Sequence, residues 1–156
     1  MKPSENKIHF LNRHACPGFS LLELMVVLVI LAILAAFQYP SYKESVRKAR
    51  RAEGRAALAE AMQQQERLYS QQSSYVAFSA SNPNGFKWFS GDSPKGSAYE
   101  LRAEACKNDT VRNCIVVYAM PGTARVKSSF QDDLCGELSL SSNGINNASG
   151  TGNDCW

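Results

Sequence analysis

The sequence predicts an α+β protein in which one long N-terminal helix packs on a small antiparallel sheet, a lollipop-shaped fold. Two observations predict this architecture. Residues 19–69 are rich in Leu, Ala, Gln, Glu and Arg, which favour a helix, and are interrupted only by Pro40 and Gly54. Further along, three segments with strand-like patterning are joined by short links: residues 98–106, 114–120 and 134–140.

The first part of the helix is apolar all round. Residues 18–37 read GFSLLELMVVLVILAILAAF, and the one charged side chain among them is Glu23. An apolar helix of this length is able to cross a bilayer core. Because an ionisable group inside such a helix is costly unless it is paired, Glu23 is a candidate functional residue. Its nearest candidate partner is the α-amino group that Phe19 would carry if the chain were cut after Gly18.

The second part of the helix is amphipathic. It follows Pro40, which is expected to bend or loosen the helix. Small and apolar side chains then recur near three- and four-residue spacing, and we expect them to pack on the sheet: Val46, Ala49, Gly54, Ala57, Ala61 and Leu68. We expect the opposite face to be solvated, or to form ion pairs between subunits of an assembly: Lys43, Arg47, Arg51, Arg55 and Glu66.

Residues 70–97 are rich in Ser, Asn, Pro and Gly, and we expect a connecting loop there. Its aromatic side chains are expected to hold it on the core: Tyr75, Phe78, Phe86, Trp88 and Phe89. The strands that follow have apolar faces formed by Tyr99, Leu101 and Ala103 and by Leu134, Leu138 and Leu140. Residues 115–118 are expected to be a continuous buried run. The polar tail, residues 141–154, is expected to be disordered unless it is tied down.

The residue types argue against an enzyme. Both histidines, His9 and His14, precede the apolar run, so a chain cut after Gly18 would lack the usual general base and the commonest metal ligand. The formal net charge of +3 is too small to imply a global affinity for nucleic acid. We therefore expect no enzymatic activity, no cofactor and no metal. Calcium in the oxygen-rich tail is a weaker alternative, because Asp154 is the one carboxylate there.

The cysteines predict two disulfides. Five are present, and the four that follow the apolar run form an even set, as is typical of small exported domains: Cys106, Cys114, Cys135 and Cys155. Four cysteines permit three pairings. We favour a bond between Cys106 and Cys114, because they flank a seven-residue link between two candidate paired strands.

Residues 18–23, GFSLLE, resemble the prepilin processing signal of type IV pilins and related pseudopilins. Pro40 and the segment from Cys135 to Trp156, which is similar to the C-terminal disulfide region of PilE-like pilins, extend the resemblance. It implies that a prepilin peptidase cuts after Gly18 and methylates the new amino terminus at Phe19. It also implies that Glu23 pairs with the amino terminus of a neighbouring subunit and that Cys135 is joined to Cys155.

On this resemblance, residues 1–18 are a leader, residues 19–42 are a transmembrane and assembly helix, and residues 43–156 are a head. The implied function is structural: a major or minor pilin of a type IV pilus that supports motility, adhesion or DNA uptake. The implied partners are other pilin subunits, the prepilin peptidase, an inner-membrane assembly platform and inner-membrane lipid. The head would lie in the periplasm before assembly and outside the cell after it.

Three alternatives remain at this point. A type II secretion pseudopilin would share every N-terminal feature. A conventional signal peptide would be removed after the apolar run, although no clean cleavage site follows it. A minor pilin at the filament tip would bind DNA or a host surface through a local basic patch. Arg112, Arg125 and Lys127 are candidates for that patch only if they converge in space.

Overall fold

The computed structural model describes residues 18–156, and for residues 37–41 it describes the backbone alone. Its elements are one helix and four strands, with a short 3-10 turn at Pro94–Gly96. Their bounds are α1 Leu21–Gln72, β1 Tyr99–Ala105, β2 Ile115–Pro121, β3 Leu138–Ser141 and β4 Asn146–Ala148. The chain divides between Ser41 and Tyr42 into two compact units. Residues 1–17, most of the expected leader, lie outside the described residues.

The described part of the first unit consists of the start of α1 and the three residues before it. Glu23 lies in the first turn of α1, where a carboxylate complements the helix dipole. Every large apolar side chain from Leu21 to Leu34 is at least 48% exposed. Within residues 18–156, no helix meets the length and hydropathy needed to span a membrane.

In the second unit, α1 buries a stripe of side chains against the sheet. The stripe follows three- and four-residue steps and consists of Arg51, Gly54, Leu58, Ala61 and Gln65. The expected packing face was therefore partly wrong: Val46 is 40% exposed and Ala49 is also exposed. Arg51, which we expected on the solvated face, is buried because it lies one turn before Gly54 on this stripe.

Gly54 lets α1 approach β1 closely. A Cβ atom on Gly54 would lie 2.8 Å from Cδ2 of the Tyr99 ring, which is shorter than normal contact. Tyr99 is fully buried and stands at the start of β1. The helix breaker inside α1 is thus explained by helix–sheet packing, which outweighs the propensity cost of about 1 kcal/mol for glycine in a helix.

The four strands form an antiparallel meander in the order β1-β2-β3-β4. Side chains alternate between the face under α1 and the opposite face, so Leu101 and Ala103 are buried as expected. The expectation of a continuous buried run in β2 was wrong, because Ile115, Val117 and Ala119 are buried while the side chains between them are half-buried. A continuous run needs cover on both faces, and α1 covers one.

The third strand and the tail differ from the expectation. Strand β3 begins at Leu138, and Leu134 is 45% exposed in the preceding loop. The polar tail supplies β4, which pairs with β3 through residues 146–148. Polar residues form this edge strand because pairing with β3 uses backbone hydrogen bonds alone. The side chains of an exposed edge strand need not be apolar.

The loop between α1 and β1 is held against β1 as an irregular edge. Phe78 and Phe89 form isolated antiparallel bridges with Ala103 and Glu100. Gln65 on α1 exchanges two hydrogen bonds with the backbone of Val76, at 2.5 and 2.9 Å. The buried amide of Gln65 therefore satisfies both backbone groups of Val76, which explains a polar side chain in the buried stripe.

Two disulfides close the last third of the chain. Cys106 is bonded to Cys114 and Cys135 to Cys155, with a Cα–Cα distance of 5.4 Å in each pair. The first is the pair favoured from the spacing of the cysteines, and the second is the pair that the resemblance to PilE-like pilins implied. The second bond ties down the tail, and the backbone of Cys135 also accepts a hydrogen bond from Gly150 at 2.9 Å. Together these contacts order a segment whose composition alone would leave it disordered.

Candidate functional site

A buried charged network joins α1 to the loop before β3. Arg51 donates from Nε to Oδ2 of Asp132 at 2.9 Å and from Nη2 to Oδ1 at 2.7 Å, a bidentate pair. Tyr99 donates its hydroxyl proton to Oδ2 of Asp132 at 2.7 Å. Arg51 also donates from Nη1 to the backbone oxygen of Asp154 at 3.3 Å. We call Arg51, Asp132 and Tyr99 the Arg51 network.

The charges of the Arg51 network stabilise each other inside the fold. The side chains of Arg51 and Asp132 are 3% and 0% exposed. Burial alone raises the pKa of Asp132, but hydrogen bonds from Arg51 and Tyr99 outweigh this effect and hold that pKa below its usual value. Burial, followed by the hydrogen bond to Asp132, raises the pKa of Tyr99. The network is thus a structural ion pair, and it positions the loop that carries Cys135.

The residues implied in processing and assembly are partly described. Gly18 and Phe19 precede α1, and the side chain of Phe19 is 83% exposed. Glu23 is exposed on the first turn. Pro40 lies within α1, but its side chain is outside the described residues, so the expected kink stays a prediction. Nothing in the geometry of residues 18–36 tests the pairing of Glu23 with a neighbouring amino terminus.

The three candidate basic residues do not converge. Arg112 lies in the loop from β1 to β2, whereas Arg125 and Lys127 lie in the loop from β2 to β3. In an antiparallel meander these two loops are at opposite ends of the sheet, separated by the length of β2, roughly 20 Å for seven residues.

Lys95 joins Arg125 and Lys127 instead. Its Nζ donates to the backbone oxygen of Ala124 at 3.1 Å, and the backbone N–H of Lys127 donates to the oxygen of Ser97 at 2.9 Å. All three cationic side chains are exposed. We call Lys95, Arg125 and Lys127 the loop patch. Sequence reasoning missed Lys95, because the pairing of two irregular loops leaves no periodic signal.

The oxygen-rich tail uses its side chains within the chain. Asn143 Oδ1 accepts from the hydroxyl of Ser141, and Asn147 Oδ1 accepts from the N–H of Ala148 at 2.9 Å. Among residues 18–156, no group of three or more His, Cys, Asp or Glu side chains is arranged to hold a metal ion.

Comparison with known proteins decides the family. A family model described as "Type IV minor pilin ComP, DNA uptake sequence receptor" matches residues 40–139, which is more than half of the chain. The chain belongs to the ComP family of type IV minor pilins. A second model, the prokaryotic N-terminal methylation motif, matches residues 13–37 and so includes Gly18, Phe19 and Glu23.

A type IV pilin from Shewanella oneidensis is similar in structure, with 24% identity and a TM-score of 0.46 over 70% of this chain and 97% of that one. No curated protein matches the sequence.

Membership of the ComP family gives the chain the role of a type IV pilus subunit, and this favours a pilin over the type II secretion alternative. The helix packed on a four-stranded antiparallel sheet agrees with the fold class expected from the sequence. The N-terminal motif further implies a subunit that is processed, anchored in a membrane and then assembled with other pilins into an extracellular pilus.

Proposed function

We propose that this chain is a minor pilin whose head binds duplex DNA through the loop patch. The observation that carries the proposal is the convergence of Lys95, Arg125 and Lys127 from two loops that are separate in sequence. Both loops lie inside residues 40–139, the segment matched by the family of a DNA uptake sequence receptor. Exposed lysine and arginine side chains supply the phosphate contacts on which DNA affinity largely depends.

The side chains of the loop patch are exposed, so phosphates are able to reach them. Arg125 is 58% exposed, and it contacts Glu100 through Nη1 at 3.2 Å. The exposed guanidinium has further N–H groups that are able to bind a phosphate. Glu100 is buried and also accepts a hydrogen bond from Thr123, so it fixes the loop that carries Arg125.

Salt-dependent binding tests this proposal. The variant with Lys95, Arg125 and Lys127 all changed to Gln should bind duplex DNA more weakly, and its slope of log affinity against log salt should fall by about 2.7 if each residue contacts one phosphate. The matched control changes three exposed basic residues elsewhere on the head to Gln: Arg67, Lys107 and Arg112. Equal losses in both variants, or no loss in the first, would rule out the loop patch as the DNA site.

We further propose that the subunit is cut between Gly18 and Phe19, methylated at Phe19, and held in the inner membrane as a single-pass protein by residues 19–42 until assembly. The exposed apolar side chains from Leu21 onwards support this, because they require lipid or neighbouring helices as cover. In the filament, Glu23 pairs with the amino terminus of a neighbour. The prepilin peptidase and the inner-membrane assembly platform are the partners for these steps.

Mass spectrometry of membrane and filament material tests the processing step. The expected mature terminus is a methylated Phe19. A terminus near Phe37 would instead mean that the apolar run is removed as an ordinary signal peptide, and the proposed anchoring would then be wrong.

A further inference from the structure

A cleft lies between α1 and the ordered tail. Its lining consists of Lys48, Arg51, Arg55, Asp154 and Trp156, and its volume is about 210 Å³. We propose that this cleft binds one nucleotide of single-stranded DNA, with the base stacked on Trp156 and the flanking phosphates at Lys48 and Arg55. The proposal deepens the proposed function, since it rests on DNA being the ligand of the head.

Two cations of the cleft are available to a ligand. Lys48, Arg51 and Arg55 follow three- and four-residue steps along α1, so their side chains lie above one another on one face. Arg51 is neutralised by Asp132. Within residues 18–156, neither Lys48 nor Arg55 has a carboxylate within 4.0 Å. Asp154 contributes the one side-chain carboxylate of the lining.

Trp156 provides a fixed aromatic surface beside these cations. Its indole Nε1 donates to the backbone oxygen of Asn147 in β4 at 2.9 Å, and its side chain is still 37% exposed. The preceding residue, Cys155, is buried and bonded to Cys135. The ring is therefore held from both sides before any ligand arrives, which lowers the entropy cost of stacking a base on it.

The combination of an exposed indole with two nearby cations favours unpaired nucleotides. Every base has a π-face that stacks on an aromatic side chain, and nearby cations follow the phosphate backbone. In a duplex the faces of the bases are already stacked on one another, so duplex DNA would offer Trp156 no internal base. A carboxylate from a neighbouring subunit would satisfy Lys48 and Arg55 but would leave the fixed, exposed indole unused.

Fluorescence tests the stacking directly. The chain has two tryptophans, Trp88 and Trp156, so the Trp88→Phe variant of the full chain in detergent micelles reports on Trp156 alone. Titration with short oligothymidine should quench this emission in step with binding. The same titration with a blunt, fully paired duplex of equal length should leave the emission nearly unchanged. Binding of oligothymidine without quenching would overturn the proposal.

Substitutions test the roles of the lining residues. Trp156→Ala should weaken oligothymidine binding by at least about fivefold, and Trp156→Phe should retain most of it, because a phenyl ring still stacks. The variant with Lys48→Gln and Arg55→Gln should lower the salt slope for oligothymidine by about 1.4. Its matched control, Arg67→Gln with Lys107→Gln, removes the same charge elsewhere on the head and should leave the slope nearly unchanged. Asp154→Asn should strengthen binding at low salt.

The outcomes separate this proposal from the proposed function. If the loop-patch variant binds duplex normally while Trp156→Ala loses oligothymidine, the duplex site is wrong and the cleft stands. If the loop-patch variant loses duplex while the cleft variants bind oligothymidine normally, the cleft assignment is wrong and the duplex site stands. Equal losses of both ligands in Trp156→Ala would also overturn a single-strand site. Cleft variants that bind DNA normally but fail to enter filaments would reassign the cleft to a neighbouring subunit.

Discussion

Changing Asp132 to Asn should destabilise the head by about 3–5 kcal/mol. The substitution keeps the size of the side chain but removes the charge that neutralises Arg51, and an uncompensated buried charge carries a penalty of about this size. A small domain has a total stability of about 5–15 kcal/mol, so the loss would be a large fraction of it. Urea unfolding of the head followed by circular dichroism, with the disulfides oxidised, measures the change.

A control and a rescue sharpen this prediction. Asp133 is exposed and adjacent in sequence, so Asp133→Asn should change stability by less than about 0.5 kcal/mol. The double variant Arg51→Met with Asp132→Leu should recover part of the loss, since it leaves no buried charge but takes the acceptor away from the Tyr99 hydroxyl. The reasoning would be refuted if Asp132→Asn unfolded within about 0.5 kcal/mol of the wild type, or if the double variant were no more stable than the single one.

The same network predicts a dependence on pH. The pKa of Asp132 is lower in the folded head than its usual value of 3.8, so the unfolded chain binds this proton more readily. The stability contributed by the ion pair is therefore present above about pH 4 and is lost as the pH falls through the folded pKa. In the Arg51→Met and Asp132→Leu double variant, the free energy of unfolding should fall less steeply over this acidic range than in the wild type.

Four further predictions follow from the packing and the chain ends. Gly54→Ala should lower stability, because overpacking against Tyr99 costs about 1–3 kcal/mol while the gain in helix propensity is about 1 kcal/mol; a higher unfolding midpoint would contradict the close contact. Changing Cys135 and Cys155 to Ser should cost about 3 kcal/mol, measured by the same urea unfolding, because their bond closes a separation of 20 residues. A chain starting at Lys43 should be soluble, folded and monomeric in sedimentation analysis, since the buried core lies within residues 57–155; aggregation would contradict this. Glu23→Gln should be processed normally yet be scarce in sheared filaments, and a filament content equal to the wild type would show that Glu23 is dispensable.

The parts of the fold that sequence reasoning captured have local or periodic causes. The long helix follows from residue propensities, and the faces of β1 follow from alternation at Tyr99, Leu101 and Ala103. The processing signal is a contiguous motif, so it was readable without any tertiary information. Strand β4 was missed because Asn146 and Asn147 have low strand propensity, and their pairing depends on β3 being in place.

The missed site residues depend on partners that are far away in sequence. Arg51 was assigned to the solvated face because its charge, taken alone, belongs in water. Its burial depends on Asp132, 81 residues further along, and no local pattern indicates that pairing. The three- and four-residue steps from Arg51 to Gly54 and Leu58 do place Arg51 on the buried face of α1. That placement was rejected because it puts a charged residue in a buried stripe.

The Arg51 network also connects stability to the proposed cleft. Arg51 bonds Asp132 with two of its nitrogens and the backbone of Asp154 with a third, so one guanidinium holds both the loop before β3 and the tail that carries Trp156. Loss of Asp132 removes the carboxylate that neutralises Arg51, so the guanidinium beside the cleft is left unpaired. The unpaired guanidinium adds positive charge beside Lys48, and the tail that carries Trp156 is loosened. Asp132→Asn should therefore raise the salt dependence of oligothymidine binding, while the quenching of Trp156 emission declines.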